Sequence, residues 1–313
     1  MTLETPKVNY TGKVREITLG SGDKAITVGG ETAYPFHTFE GKMPRKPRIA
    51  LEVLDDAPED WPAALTAVYG DVLSDPVKWA NKCIELGADA VCLRLASIDP
   101  NSKNASAEDA VGTVKKVAEA ISLPLIVWGC GSAPKDAEVL RKIAETIENK
   151  PLILGPVVDT NYKTIGAGAI GFGHTVVAST PIDVNLAKQL NILLEQLGVP
   201  EGKILVDPTT GALGYGLEYT YSVMERDRMA ALTQGDDKLA YPILNMIGAE
   251  VWKVKEAKIS AEDAPNMGNP EKRGILMEAA TAMVCLMAGS DLLVLRHPES
   301  MKLLREIIDE LVA

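Results

Sequence analysis

The sequence predicts an α/β chain folded as one closed (β/α)8 TIM barrel with an N-terminal β-hairpin extension. Three observations predict it. Eight short apolar runs succeed one another from residue 49 onward. Segments with helical periodicity lie between them, and no linker, charge run or low-complexity stretch divides the 313 residues. Residues 1–48 are assigned to the hairpin and a loop packed on the barrel, and 49–313 to the barrel itself. A doubly wound open sheet is the alternative arrangement of the same units.

The hairpin is read from Val14 to Leu19, where apolar and polar residues roughly alternate, the turn Gly20-Ser21-Gly22-Asp23, and the return Ala25 to Val28. The barrel strands are read at Ile49–Leu54, Ala90–Leu95, Leu125–Trp128, Leu152–Val158, Thr175–Ala178, Ile204–Val206, Ile243–Ile247 and Leu292–Leu295. Each is a brief, continuous apolar run, as parallel strands covered on both faces require. Between them, Ala110, Val114, Val117, Ala118 and Ile121 form one apolar helix face. Leu186, Leu190, Leu193, Leu194 and Leu197 form a second, and Met301, Leu304, Ile308 and Leu311 a third. Asp75-Pro76 and Thr180-Pro181 read as caps followed by proline at the first helical position, and Gly87 and Gly198 as helix stops. Residues 151–173 supply a weak, glycine-rich helix, and Glu256 to Asn269 reads as a long polar loop.

Composition narrows the function. The chain is 46% hydrophobic and 24% charged, with a formal net charge of −11. It has no basic cluster of the kind nucleic-acid binding needs. No run of about 18 apolar residues suggests a membrane span, and Met1 to Tyr10 lack a secretion-signal layout, so a cytoplasmic location is expected. Cys83, Cys92, Cys130 and Cys285 are scattered and lack cluster spacing. His37, His174 and His297 lie far apart with no H-x-x-H pattern, so no metal ligand is assigned.

Barrel chemistry sits where the strands end. Those positions hold Asp55-Asp56, Ser97-Ile98-Asp99, Gly129-Cys130-Gly131, Asp159-Thr160-Asn161, Ser179-Thr180, Asp207-Pro208-Thr209-Thr210-Gly211, Asn245 and His297. The set is rich in hydroxyls, amides and backbone donors and poor in cations, a profile that disfavours a phosphate substrate. Arg94 and Arg296 read as members of a salt bridge inside the barrel. Asp99, Asp159 and Asp207 are acids that could converge, or that cap loops instead. The clearest local signal is Asp207 to Gly216, where two threonines and three glycines follow a strand-ending Asp-Pro. Such a loop can approach a flat ligand, or bond to itself as an Asx turn.

Ile204-Leu-Val-Asp-Pro-Thr-Thr-Gly211, Leu86-Gly-Ala-Asp-Ala-Val91, Ser179-Thr180-Pro181, Asn245-Met-Ile-Gly-Ala-Glu250 and Ile26-Thr-Val-Gly-Gly-Glu31 follow in an order that resembles the small (delta) subunit of the corrinoid iron–sulfur protein of the acetyl-CoA decarbonylase/synthase system. The resemblance covers essentially the whole chain. It implies a methyl-carrier subunit, without activity alone, that shares cobalamin with a larger iron–sulfur subunit; the 4Fe-4S cluster belongs to that partner. It further implies methyl supply from methyltetrahydrofolate through a separate methyltransferase, and delivery to acetyl-CoA synthase in the anaerobic acetyl-CoA pathway. On this reading Ser97, Gly129, Asp159, Ser179, Asp207, Thr209, Thr210, Gly211 and Asn245 contact or support the corrin, by hydrogen bonding and shape, and none is catalytic. The chain lacks D-x-H-x-x-G, so it is not expected to ligate cobalt. Two other readings are an autonomous pterin-dependent methyltransferase, whose relatives also place Asp-Pro after the sixth barrel strand, and a plain assembly subunit.

Overall fold

A computed structural model describes residues 6–312. Strands β1 (Ile17–Leu19) and β2 (Ile26–Val28) form the antiparallel hairpin. The next eight, β3 (Arg48–Leu54), β4 (Ala90–Arg94), β5 (Leu125–Trp128), β6 (Ile153–Val157), β7 (Thr175–Ser179), β8 (Ile204–Asp207), β9 (Ile243–Met246) and β10 (Ser290–Leu295), close into a parallel barrel, with β10 pairing back onto β3. All eight apolar runs fall on these strands. They are legible because a strand buried on both faces has no polar face to interrupt it.

Helices α1 (Ala63–Tyr69) and α2 (Pro76–Glu85) follow β3; α3 (Ala107–Ala120), α4 (Ala133–Thr146), α5 (Tyr162–Phe172), α6 (Val184–Leu197) and α7 (Leu217–Thr233) follow β4 to β8 in turn. After β9 come α8 (Ile247–Val251), α9 (Lys255–Lys258) and α10 (Pro270–Ala288); α11 (Pro298–Leu311) follows β10. Asp75 caps α2 as expected, accepting from the Val77 and Lys78 amides ahead of Pro76. Gly198 ends α6 at φ +101°.

Three expectations are corrected. Helix α6 does not start at Thr180-Pro181 but behind Asp183, whose carboxylate accepts from the Asn185 and Leu186 amides. The Thr180 N–H is already committed to Asp207 O, which leaves Pro181 and Ile182 to turn the corner. Leu186 does not face the core: it is exposed and Leu193 is half-buried, whereas Leu190 and Leu194 are buried. The stretch from Glu256 to Asn269 is not one long loop, because α9 and a 3-10 turn at Pro265–Met267 organise it.

The hairpin covers the barrel end where the strands begin. Thr11 and Gly12 donate to Leu232 O and Arg15 to Ala240 O, and Ile17, Leu19, Ile26 and Val28 join the core. There the buried Arg228 donates to Gly289 O and Tyr241 O and pairs with Asp291. Glu31 reaches in from the extension, and burial, reinforced by Asp291, pushes its carboxyl up to about 8. The opposite end, where the strands finish, is left as the mouth. Among the described residues no helix is long and apolar enough to cross a membrane.

Candidate functional site

The candidate residues separate at the mouth. Seven of them gather on the side of β6 to β9. Ser179 and Asp207 end neighbouring strands in register. Asp207 Oδ1 accepts from the Thr209 amide at 3.1 Å, and Thr209 Oγ1 donates to Thr180 O at 2.8 Å. Asn245 Nδ2 donates to Thr210 Oγ1 at 3.1 Å. The Gly211 amide donates to Thr220 Oγ1 at 2.8 Å, and that hydroxyl donates onward to Thr209 O. A Cβ on Gly211 would lie 2.5 Å from the Gly216 carbonyl carbon, so only glycine allows the loop to fold back on itself. Asp159, exposed, lines with Ser179 a cavity of about 390 Å³ whose other wall is Leu186, Leu190 and Leu193 of α6.

This corner is strained and incompletely bonded. Thr209 and Ile182, both β-branched, hold φ of +62° and +41°, a conformation such residues keep only when their surroundings enforce it. The Ile182 amide reaches both Thr180 O and Pro208 O, which ties the two corners together. Thr180 Oγ1 and Asn245 Oδ1 are buried without a hydrogen-bond partner among the described residues. Asp207 is fully buried, and desolvation pushes its carboxyl up to about 7 against the opposing influence of the Ser179 hydroxyl and the Thr209 amide. Near neutral pH it is therefore partly a neutral acid that can donate as well as accept.

Ser97 and Gly129 stand apart from this group. The Ser97 amide donates to Asp55 Oδ1 at 2.9 Å, and its hydroxyl donates to the other oxygen of the same carboxylate. Gly129 is buried against Asp136: a Cβ there would lie 2.2 Å from Asp136 Oδ1, whose carboxylate accepts from the Cys130 and Gly131 amides. Both residues shape their own turns. Burial pushes the Cys130 thiol up to about 11, far from a reactive thiolate. Asp99 accepts from the Asn101 amide and caps its own loop. The histidines are bound structurally: His174 accepts from the Leu152 amide at 3.0 Å and bonds Ala144 O through Nε2, while His297 Nδ1 accepts from the Glu299 amide at the start of α11. Among the described residues no three His, Cys, Asp or Glu side chains gather as a metal site.

The side of β10, β3 and β4 differs. Glu52, fully buried, pairs with Arg296 through Nε and lies 3.6 Å from Arg94 Nη1, the salt bridge expected inside the barrel. Arg296 lies over the Trp61 ring, 5.0 Å from its centroid. With Trp252, Lys253 and Lys258 these arginines line a cavity of about 330 Å³. The mouth is thus richer in cations than the strand tips alone suggest, because Lys253 and Lys258 come from connections rather than strand ends.

Residues 16–308 match the family model of the CO dehydrogenase/acetyl-CoA synthase delta subunit. The chain belongs to that delta-subunit family. It is 38% identical to the acetyl-CoA decarbonylase/synthase complex subunit delta of Archaeoglobus fulgidus, covering 98% of this chain and 70% of that one. It is 36% identical to subunit delta 1 of Methanosarcina thermophila, covering 96% and 71%. The resemblance read from Ile204 to Gly211 and its companion motifs therefore reflects family membership. Among solved structures, dihydropteroate synthase of Xanthomonas albilineans superposes with a TM-score of 0.58 at 15% identity, over 86% of this chain and 94% of that one. The Thermus thermophilus enzyme gives 0.55 at 16%, over 88% and 98%. At such identities the likeness shows the fold alone: this chain shares a barrel with these synthases.

Proposed function

We propose that the chain is a methyl-carrier subunit whose mouth, on the side of β6 to β9, covers one face of a cobalamin shared with a larger iron–sulfur subunit. The observation that carries the reading is the buried, neutral hydrogen-bonding group at that corner, in a member of the delta-subunit family: Thr180 Oγ1 and Asn245 Oδ1 lack partners among the described residues, and Asp207 is pushed towards its neutral form. Unpaired buried hydroxyls and amides cost stability unless a ligand or water completes them. A rim decorated with neutral amides fits such a set better than an anion does.

When bound, the corrinoid supplies the cobalt centre at which a methyl group is received and released. The residues of this chain bind and orient. Ser179, Asp207 and Asn245 offer hydrogen bonds at the strand ends. Thr209, Thr210, Gly211 and Thr220 hold the loop beneath them in one conformation. Leu186 and Leu193 provide an apolar wall facing Asp159 across the cavity. No proton transfer is required of any of them. The larger subunit carries the iron–sulfur cluster; a methyltransferase acting on methyltetrahydrofolate supplies the methyl group, and acetyl-CoA synthase receives it.

The test is anaerobic co-purification with and without the larger subunit, recording cobalt content and the corrinoid absorption spectrum. Stoichiometric corrinoid only in the pair supports the reading, and none in either sample overturns it. Turnover of methyltetrahydrofolate with free cobalamin by the isolated chain, abolished in Asp207→Ala, moves the reading to an autonomous pterin-dependent enzyme.

A further inference from the structure

We propose that the other side of the mouth, between the ends of β10, β3 and β4, binds a small oxyanion, a phosphate or a carboxylate, through Arg94 and Arg296. The inference is independent of the corrinoid reading, since it concerns the opposite side of the mouth and a different chemistry.

The charges form two layers. The inner layer has two guanidiniums and one carboxylate, because Glu52 serves both Arg94 and Arg296. The outer layer is balanced: Lys258 pairs with Asp60 at 2.5 Å, Lys103 with Asp56 at 2.5 Å, and Lys253 with Glu250. Asp55 is bound by the Ser97 amide and hydroxyl, and burial raises it; the buried Glu278 carboxyl, which burial also raises, is taken up by the Arg296 and His297 backbone amides. Among the described residues the two guanidiniums therefore share a single carboxylate side chain in ion pairing, and both line the cavity of about 330 Å³.

The donors are placed to use it. Arg296 gives Nε to Glu52, and among the described residues its terminal nitrogens make no hydrogen bond. Its plane is fixed by the Trp61 ring, which favours a guanidinium by cation–π attraction. Arg94 lies 3.6 Å from Glu52, too far for a hydrogen bond, and its side chain is 30% exposed. Two planar forks with open edges facing one cavity match the two-oxygen edge of a carboxylate or phosphate, a geometry a lysine ammonium cannot reproduce. The walls also exclude water from part of the contact, since Trp252 and Leu54 are buried there.

The experiment is calorimetric titration of the full chain with inorganic phosphate and, separately, with acetate. Ionic strength is held constant with sodium chloride. The expected result is saturable binding of at least one of the two, with chloride alone giving none. Arg94→Gln should weaken it at least about tenfold, equivalent to about 1.4 kcal/mol. Arg296→Lys, which keeps the charge but loses the fork, should weaken it as well, and provides the reading should Arg94→Gln fold poorly. Lys142→Gln, on the exposed face of α4, should titrate like the parent. Tighter phosphate assigns a phosphate ester as the natural ligand, and tighter acetate assigns a carboxylate. The proposal is overturned if neither anion binds more tightly than chloride, or if both arginine variants bind as the parent does.

Discussion

Around the ends of β6 to β9 the buried polar groups are hydroxyls, an amide and one acid that burial drives towards neutrality, with Asp159 exposed at the edge, whereas around the ends of β10, β3 and β4 they are full charges held in pairs. One barrel presents both. The neutral side satisfies most of its groups through loop-to-loop hydrogen bonds and, among the described residues, leaves Thr180 Oγ1 and Asn245 Oδ1 unmatched. The charged side leaves guanidinium edges open to a cavity. The difference teaches that strand-end position alone does not set the chemistry of a barrel mouth; what the connecting segments bring to each strand end does. It also separates two modes of recognition. The neutral side should discriminate by shape and hydrogen bonding and tolerate salt, and the charged side should weaken as salt screens it.

The largest expected effect lies on the charged side. Glu52→Ala leaves two arginines without their buried partner and should destabilise the fold by about 3–5 kcal/mol, measured by urea unfolding. The loss should hold steady from mildly acidic to mildly alkaline pH, because guanidiniums do not titrate there. A negligible loss would mean that water already relaxes this pair, and the contrast between the two sides would fail.

A smaller effect, distinguished by its pH dependence, belongs to the neutral side. The Asp207 carboxyl is raised in the fold from its ordinary 3.8 to about 7. Its stabilising contribution is therefore complete below the unfolded value and is lost as pH climbs through the folded value. Asp207→Asn removes that loss. The variant should match the parent near pH 4 and exceed it above pH 7, by on the order of 2 kcal/mol after allowing for relaxation around the site. Parallel unfolding curves across that window check it, and a pH-independent difference would show that Asp207 is ionised in the fold throughout.

The smallest effect tests the strained loop. Thr209→Val keeps the shape but deletes the hydroxyl that donates to Thr180 O. Because the Ile182 amide still donates to that carbonyl, the loss should be only about 1 kcal/mol. A much larger loss would identify Thr209 as the element holding the β7 and β8 corners together.

Much of this was legible in the sequence. The strands were, because parallel strands buried on both faces are short uninterrupted apolar runs. Asp207 to Gly211 stood out because a strand-ending Asp-Pro followed by threonines and glycine has few other uses. The self-bonded reading is the one the structure shows: Asp207 accepts from the Thr209 amide, and Thr210 takes a hydrogen bond from Asn245 on the next strand. The start of α6 was misread because Thr180-Pro181 has the local pattern of a cap, while the barrel ladder had already taken the Thr180 amide. Gly129 and Ser97 could not be separated from the others by sequence, since their partners Asp136 and Asp55 are brought to them only by the fold. The salt bridge made by Arg94 and Arg296 was legible, but its surroundings were not, for a similar reason: Trp61, Lys253 and Lys258 lie in connections whose approach to the two arginines depends on barrel closure.

The most direct test of the division is corrinoid content in the chain paired with the proposed larger subunit, measured for the parent, Asp207→Ala, Asn245→Ala and Arg94→Gln after each is verified as folded by its melting curve. The account predicts that the two neutral-side variants lose most of their cobalt while Arg94→Gln retains it. Full cobalt in both neutral-side variants, with loss confined to Arg94→Gln, would contradict it and transfer the corrinoid contact to the charged side.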